Sequence, residues 1–255
     1  MSKIPRIIHY CWFGKNPLPQ SAIKCIESWK KFLPDYEIRE WNENNFDVNI
    51  IPYTAEAYSA KKYAFVSDYA RFWILYKYGG LYFDTDVEVI RSLDDIIARG
   101  NFMGCENPYQ PNVAPSQLAI APGLGLGVNP GLGLIKELIG TYSDRHFIKS
   151  DGSYDTKTIV ATTTEVLCRH GLIMTDDIQL CSETWIYPFD YFCPKDKRTL
   201  IINLTSNSRT IHHFDATWIP TRTKLKNRFI HIIGPTATKF GVQCKKILRV
   251  IGIIR

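Results

Sequence analysis

Apolar residues in this chain come in short runs whose period changes from two to about three and a half and back. The run Arg6-Ile7-Ile8-His9-Tyr10-Cys11-Trp12-Phe13, closing on Gly14, predicts a buried first strand. Pro17 and Pro19 keep the next stretch irregular. From Ser21, a candidate cap, Ile23, Ile26, Trp29 and Phe32 recur at helical spacing, and Pro34 ends that helix. Tyr36 to Trp41 alternates again as a second strand. A β-α-β unit within the first 41 residues is the opening of a Rossmann-like nucleotide fold.

An Asn- and Pro-rich loop covers 42–53. One helix is expected from about Ala55 to Tyr78, with Phe65, Tyr69, Phe72, Trp73 and Tyr76 at helical spacing. Asp68 and Arg71, three apart, share a face of it. Gly79-Gly80 makes the turn into an apolar strand, Leu81 to Glu88, that carries Asp84 and Asp86 and continues through Val89 and Ile90. Residues two apart share a strand face, so both carboxylates are expected to point the same way. The Pro/Gly/Asn-rich stretch 106–133 lacks G-x-G-x-x-G and a Lys-Ser/Thr pair, so Gly123-Leu124-Gly125-Leu126-Gly127 reads as a short strand with tight turns or a mobile segment, not a phosphate loop. Helices are expected over 134–142 and 158–170, with Thr162-Thr163-Thr164 as capping residues near the start of the second. Asp94 and Asp95 would cap the helix after the carboxylate strand. Short strands are expected at 185–188 and 191–192, and Ile211 to Trp218 closes the main body.

Composition narrows the class. With 255 residues, 45% of them hydrophobic, the chain can bury one sizeable core. No window approaches the roughly 18 apolar residues of a transmembrane helix, and the start of the chain has no apolar stretch of the signal-peptide kind. Seven dispersed cysteines without C-x-x-C suggest reduced thiols and a cytoplasmic protein. The formal charge of +6 is unevenly spread: nine Lys and Arg and no acid fall between Arg222 and Arg255, while the rest carries 22 basic and 25 acidic residues. A cleft-lining basic field is therefore not expected, and nucleic acid is set aside as a partner. From Lys239, Phe240, Cys244, Ile247, Ile251 and Ile254 fall on one helical face with Lys245, Lys246 and Arg249 on others, which suggests an amphipathic basic helix for an anionic membrane surface. The domains expected are 1–220, catalytic, and 221–255, a basic C-terminal segment.

Carboxylate oxygens suit hard cations such as Mg2+ and Mn2+. An Arg offers phosphate a rigid fork of donors. A D-x-D alone is a weak signal, since acidic pairs at strand ends are often merely solvated. The longer string is specific. Ser67-Asp68-Tyr69-Ala70-Arg71 followed by Tyr78-Gly79-Gly80-Leu81-Tyr82-Phe83-Asp84-Thr85-Asp86, with Trp12-x-Gly14 before it and His212-His213…Trp218 after it, resembles the family 32 glycosyltransferases of the DXD sugar-binding-region group. That group is related to the glucosyltransferase domains of clostridial toxins.

The resemblance implies a GT-A type fold with a mixed central sheet, a nucleotide-sugar donor, Mn2+ or Mg2+, and retention of anomeric configuration. By that resemblance Asp68, Arg71, Asp84 and Asp86 form the catalytic set. Asp86 would bind the metal directly, and Asp84 would contact the ribose and the metal's water shell. Asp68 and Arg71 would hold the donor sugar and the diphosphate side. Trp12, with Tyr10 and Gly14, would lie beside the nucleotide. His213, or alternatively His212, would complete the metal shell, and Trp218 would touch the β-phosphate. The expected function is transfer of a hexose, from a UDP-linked donor by preference, to a saccharide or lipid-linked acceptor in surface polysaccharide synthesis, at the inner face of the cytoplasmic membrane. A metal-dependent nucleotide-sugar hydrolase and a non-catalytic sugar-nucleotide binding protein are the alternatives.

Overall fold

β1 (Ile7–Cys11) sorts its side chains by the period of two that the sequence predicts. Ile8 and Tyr10 enter one apolar cluster, with Trp29 and Phe83, and Cys11 enters the other, with Tyr82 and Phe72. The protein is seen in a computed structural model that describes residues 4–111 and 118–215. The expected amphipathic tail and Trp218 lie outside the described residues. One compact unit runs to Phe214; of the second, which begins at Asp215, only that residue is described.

α1 (Gln20–Phe32) starts one residue before Ser21, after Pro19, so Ser21 is inside the helix and does not cap it. β2 (Glu37–Trp41) pairs in parallel with β1, Ile7 opposite Glu37 and Cys11 opposite Trp41. The expected long helix is two: α2 (Pro52–Ser59) and α3 (Tyr63–Tyr78). Lys61, at φ 57, turns the chain between them, a change of direction that the helical spacing of the aromatics conceals.

After Gly79 and Gly80, both at positive φ, β3 (Gly80–Tyr82) runs parallel to β1 on its other side. The carboxylate strand is broken here. β4 (Val87–Val89) belongs to a separate two-stranded sheet, and α4 (Asp94–Arg99) follows with Asp94 and Asp95 in its first turn. The Asp94 amide is held by the Ser92 hydroxyl. β5 (Phe102–Gly104) and β6 (Leu126–Val128) come next, so the Gly-rich stretch does supply a strand. α5 (Gly133–Gly140) and α6 (Ile159–Arg169) match the two later helices. Thr158 caps α6 through the Ala161 amide. The three threonines expected to cap are instead buried within the helix, where Thr164 accepts from the Ile120 amide.

β7 (Gln179–Cys181) and β8 (Thr184–Tyr187) form a hairpin. α7 (Phe189–Phe192) replaces the strand expected at 191–192, and β9 (Thr210–His212) returns to pair with β4.

The main sheet has the order β2-β1-β3-β6-β5-β8-β7. β6 is antiparallel to both its neighbours, and β5 and β8 are parallel. The carboxyl ends of β1, β3, β5 and β8 therefore emerge along one edge. The α/β fold with a mixed central sheet is as expected, and that edge is where ligands bind in open α/β sheets. The connection after β3 carries the D-x-D along it. His9, on the α3 face of β1, is fully buried, accepts from the Trp41 indole at Nδ1 and faces the Gly79 carbonyl with Nε2. Burial drives its pKa down to about 4, which fits a neutral ring fastening β1, β2 and the Gly79 turn.

Candidate active site

α3 runs antiparallel to β3, so its first half stands at the carboxyl edge. That places Arg71 behind the D-x-D. Its guanidinium is buried, with Nη2 2.9 Å from Asp68 Oδ1 and 3.3 Å from Asp84 Oδ1, and Nη1 3.5 Å from Asp84 Oδ2. The Tyr82 ring lies against it, 4.7 Å from Cζ. Burial opposes the charge on Arg71, but Asp84, Tyr82 and Asp68 more than offset this and hold it cationic. Asp68 shows the opposite balance. Its burial outweighs Arg71 and raises its pKa to about 6. The Asp84 side chain is 33% exposed against 13% for Asp68, so Asp84 is the carboxylate of this pair that opens to solvent.

Asp84 and Asp86 do not sit on one strand face. Val87 N donates to the Asp84 carbonyl at 3.0 Å and closes a turn over 84–87. The chain leaves the main sheet at Phe83 and joins β9 at Val87, because α1 draws β4 toward itself: Trp29 Nε1 donates to the Val87 carbonyl at 2.7 Å, and Val89 N donates to Ser28 Oγ at 2.9 Å. The turn aims the two carboxylates at different partners, Asp84 at Arg71 and Asp86 at His212.

Gly123 makes room for this. Its carbonyl accepts from the Asp84 amide at 2.9 Å, and a Cβ there would lie 1.9 Å from Asp84 Oδ2 and 2.9 Å from Arg71 Nη1. Sequence reasoning assigned Gly123 only to a short strand with tight turns or a mobile segment. The signal available was its place in a glycine-rich stretch, which did not say what crowds it.

Of the two histidines it is His212, the alternative, whose ring faces Asp86, with Nε2 3.2 Å from Oδ1. His213 donates its amide to the Asp86 carbonyl at 2.9 Å and sends its ring to Glu88, 2.8 Å away. The register of β4 on β9 explains the difference: Val87 stands opposite His212, and adjacent residues of an extended chain face opposite ways. Burial works against a charge on His212, but its contact with Asp86, with help from the Cys193 thiol and Asp84, raises its pKa to about 10.

Among the nucleotide-side residues, Tyr10 turns into the core. Its hydroxyl donates to Glu40 and its ring packs edge-on to Trp29, so it is a packing residue and does not line the edge. Trp12 is half-buried at the end of β1, with its indole donating to the Asn16 carbonyl. Gly14, at φ 98, donates to Glu43 at 2.5 Å, and a Cβ there would enter the Tyr63 ring at 2.3 Å.

Asp86 and His212 fit a divalent cation. Their facing atoms are 3.2 Å apart, close to the roughly 3 Å between adjacent ligands of an octahedral shell with bonds of about 2.1 Å. Among the described residues no group of three or more His, Cys, Asp or Glu side chains forms a cage. Two protein ligands with water and phosphate oxygens suit Mg2+ or Mn2+, which are rarely held by all-protein cages.

Residues 19–103 match the family model described as a glycosyltransferase sugar-binding region containing a DXD motif. This third of the chain is similar to the sugar-binding region of DXD glycosyltransferases. Inositol phosphoceramide mannosyltransferase 3 of Schizosaccharomyces pombe is 35% identical over 98 residues, 37% of this chain and 27% of that protein. Inositol phosphoceramide mannosyltransferase 1 of the same yeast is 31% identical over 114 residues, 40% and 34%. The match thus spans about a third or less of these relatives' length. Among solved structures, PaToxG glycosyltransferase superposes with a TM-score of 0.48 at 18% identity, over 65% of this chain and 69% of that one. Galactosyltransferase LgtC superposes with 0.44 at 14%, over 82% and 87%.

Proposed function

We propose that the protein is a metal-assisted, retaining glycosyltransferase with a GT-A type fold, moving a hexose from a nucleotide sugar to a saccharide or lipid-linked acceptor. The observation that carries this reading is the buried Arg71, braced by Asp68 and Asp84, with Asp86 of the same matched sugar-binding segment paired to His212 from β9. Asp86 and His212 would hold Mn2+ or Mg2+. When bound, the ion neutralises the charge that grows on the departing diphosphate.

Arg71 supplies fixed positive charge to the same diphosphate, and its planar fork matches phosphate oxygens. Asp68 accepts from hydroxyls of the sugar. Asp84, the more open carboxylate, faces the ribose and the water around the cation. Trp12 and Gly14 border the nucleotide. Mannose enters as a candidate sugar through the names of the two yeast relatives, which also name a lipid acceptor. UDP- and GDP-linked donors are both in range. A lipid-linked acceptor agrees with a basic tail at the inner face of a membrane, and surface glycan synthesis is the role that follows.

The test is a panel of UDP- and GDP-sugars with Mn2+, reading nucleotide release with and without a membrane lipid extract. Release that rises several-fold with extract supports transfer. Release indifferent to any acceptor points to a hydrolase. Binding without release in any condition would leave a non-catalytic binding protein and contradict the proposal.

A further inference from the structure

Among the described residues eight large apolar side chains stand exposed, and half of them, Leu200, Ile201, Ile202 and Leu204, fall within five positions. Single exposed apolar residues are ordinary, but a contiguous group marks a contact surface. Ile201 alternates with the other three along the chain, so apolar residues look out on both sides of this segment.

The group lies on a hairpin, residues 194–204, between α7 and β9. Lys195 and Ile202 pair antiparallel, Asp196 N donates to the Ile201 carbonyl at 2.9 Å, and Asn203 N donates to the Pro194 carbonyl at 2.9 Å. Asp196 fixes the turn: its Oδ1 accepts from the Arg198 and Thr199 amides at 2.8 and 2.6 Å and from Thr199 Oγ1 at 3.0 Å. Leu200 follows at φ 61, a conformation that an apolar side chain seldom takes. The base is tied down as well, with Thr205 Oγ1 donating to Asp190 Oδ2 at 2.9 Å and Ser208 Oγ to the Asp190 carbonyl at 2.8 Å. A hairpin held at base and turn loses little freedom when it docks.

Charge around the hairpin selects the partner. Lys195, Lys197 and Arg198 stand against a single acid, Asp196, whose carboxylate is turned into its own turn, and no Asp or Glu follows as far as Phe214. Apolar residues flanked by basic ones match an anionic lipid surface, where the former enter the acyl boundary and the latter stay with the headgroups. A second copy of the hairpin would instead bring like charges together.

The hairpin is also joined to the candidate active site. Lys195 Nζ donates to the His213 carbonyl at 2.8 Å. Lys197 Nζ lies 5.5 Å from the centroid of the Phe214 ring, which is 4.3 Å from that of His212.

We propose that the 194–204 hairpin is a membrane-docking element that inserts Leu200, Ile201, Ile202 and Leu204 into an anionic phospholipid surface. Docked so, it holds the strand that carries His212 at the headgroup level, where the sugar of a lipid-linked acceptor would be met. The choice of acceptor rests on the transferase reading; the docking itself does not, and neither depends on the basic tail.

The test uses the full chain and a double variant, Ile201→Ser with Leu204→Ser, which removes apolar surface and adds no charge. Each is sedimented at low salt with vesicles of equal parts phosphatidylcholine and phosphatidylglycerol, without nucleotide sugar. Vesicle affinity should fall at least about tenfold in the double variant, and the thermal midpoint should not change, because both side chains are exposed. Leu180→Ser, at an exposed apolar residue of β7, should bind as the wild type does. Wild-type binding in the double variant, or a wild type that binds no vesicles, would overturn the proposal. So would a lowered midpoint, which would show that another part of the chain covers the patch. A dimer by sedimentation velocity that the double variant abolishes would assign the patch to a second copy and overturn it too. Nucleotide release is measured separately, so failure of docking leaves the transferase reading standing, and the reverse.

Discussion

Gly123→Ala is the sharpest single perturbation the site offers. The added methyl would stand 1.9 Å from Asp84 Oδ2, where ordinary van der Waals contact begins at 3.4 Å. Carboxylate or loop must therefore move by about 1.5 Å, the difference between those distances. Neither is free to do so. Asp84 is tied to the Gly123 carbonyl through its amide and to Arg71 through both carboxylate oxygens, the longer contact already at 3.5 Å. Displacement breaks the Arg71–Asp84 contact, a charge-assisted bond worth about 1.5–3 kcal/mol. At 1.36 kcal/mol per decade that is a loss of roughly 10- to 100-fold in kcat/KM, the scale on which a misplacement of about 1 Å acts at other sites. The assay is initial-rate nucleotide release from the preferred donor with Mn2+, together with thermal unfolding. Gly140→Ala is the control, because nothing lies within 4 Å of a Cβ built there. A Gly123→Ala protein with wild-type kcat/KM and an unmoved melting midpoint would refute the account of how Asp84 is held.

Further outcomes test separate parts of the site. Arg71→Lys keeps the charge and loses the fork, so kcat should fall by about tenfold or more while donor affinity changes less; steady-state kinetics with calorimetry reads both, and equal turnover would make Arg71 a structural residue. His212→Ala should weaken Mn2+ binding, by paramagnetic resonance titration, at least tenfold, whereas His213→Ala, which loses a partly exposed contact with Glu88, should change stability by no more than about 1 kcal/mol and leave Mn2+ affinity intact; the reverse order would restore His213 as the ligand. NMR of the product should show the donor's anomeric configuration, and inversion would overturn retention. Removal of residues 239–255 should lower co-sedimentation with anionic vesicles at low salt, and undiminished binding would end the membrane role of the tail.

Local pattern revealed the β-α-β opening, because β1 and β2 carry their whole instruction in alternating residues and α1 in its apolar spacing. It also marked α3, α5 and α6. It did not reveal the break at Lys61, since the aromatics on both sides keep helical spacing and the turn depends on one backbone angle. The strand break between Tyr82 and Val87 was hidden for a different reason. Leu81 to Val89 reads as one extended run, and only the pull of Trp29 and Ser28 on β4, residues about 60 positions away, moves it into another sheet.

The same break decides the site. Asp68, Arg71, Asp84 and Asp86 were visible as a string, and the structure brings them to one edge. Which histidine meets Asp86 depends on a strand register that no spacing rule supplies. Gly123 is far from the motif in sequence and meets Asp84 only through tertiary packing. Tyr10 was misread because an aromatic near a glycine turn looks alike whether it faces a cleft or a core.

The central claim is that Asp86 and Arg71 together grip the diphosphate of a nucleotide sugar through a divalent cation and a guanidinium. Calorimetric titration of the wild type and Asp86→Asn with the preferred UDP- or GDP-sugar, each with Mn2+ and with chelator, tests it most directly. The account predicts wild-type binding that weakens at least tenfold with chelator, an Asp86→Asn protein that binds weakly with or without Mn2+, and turnover in that variant lower by at least about two orders of magnitude. Binding and turnover equal in the two proteins at limiting Mn2+ would contradict it.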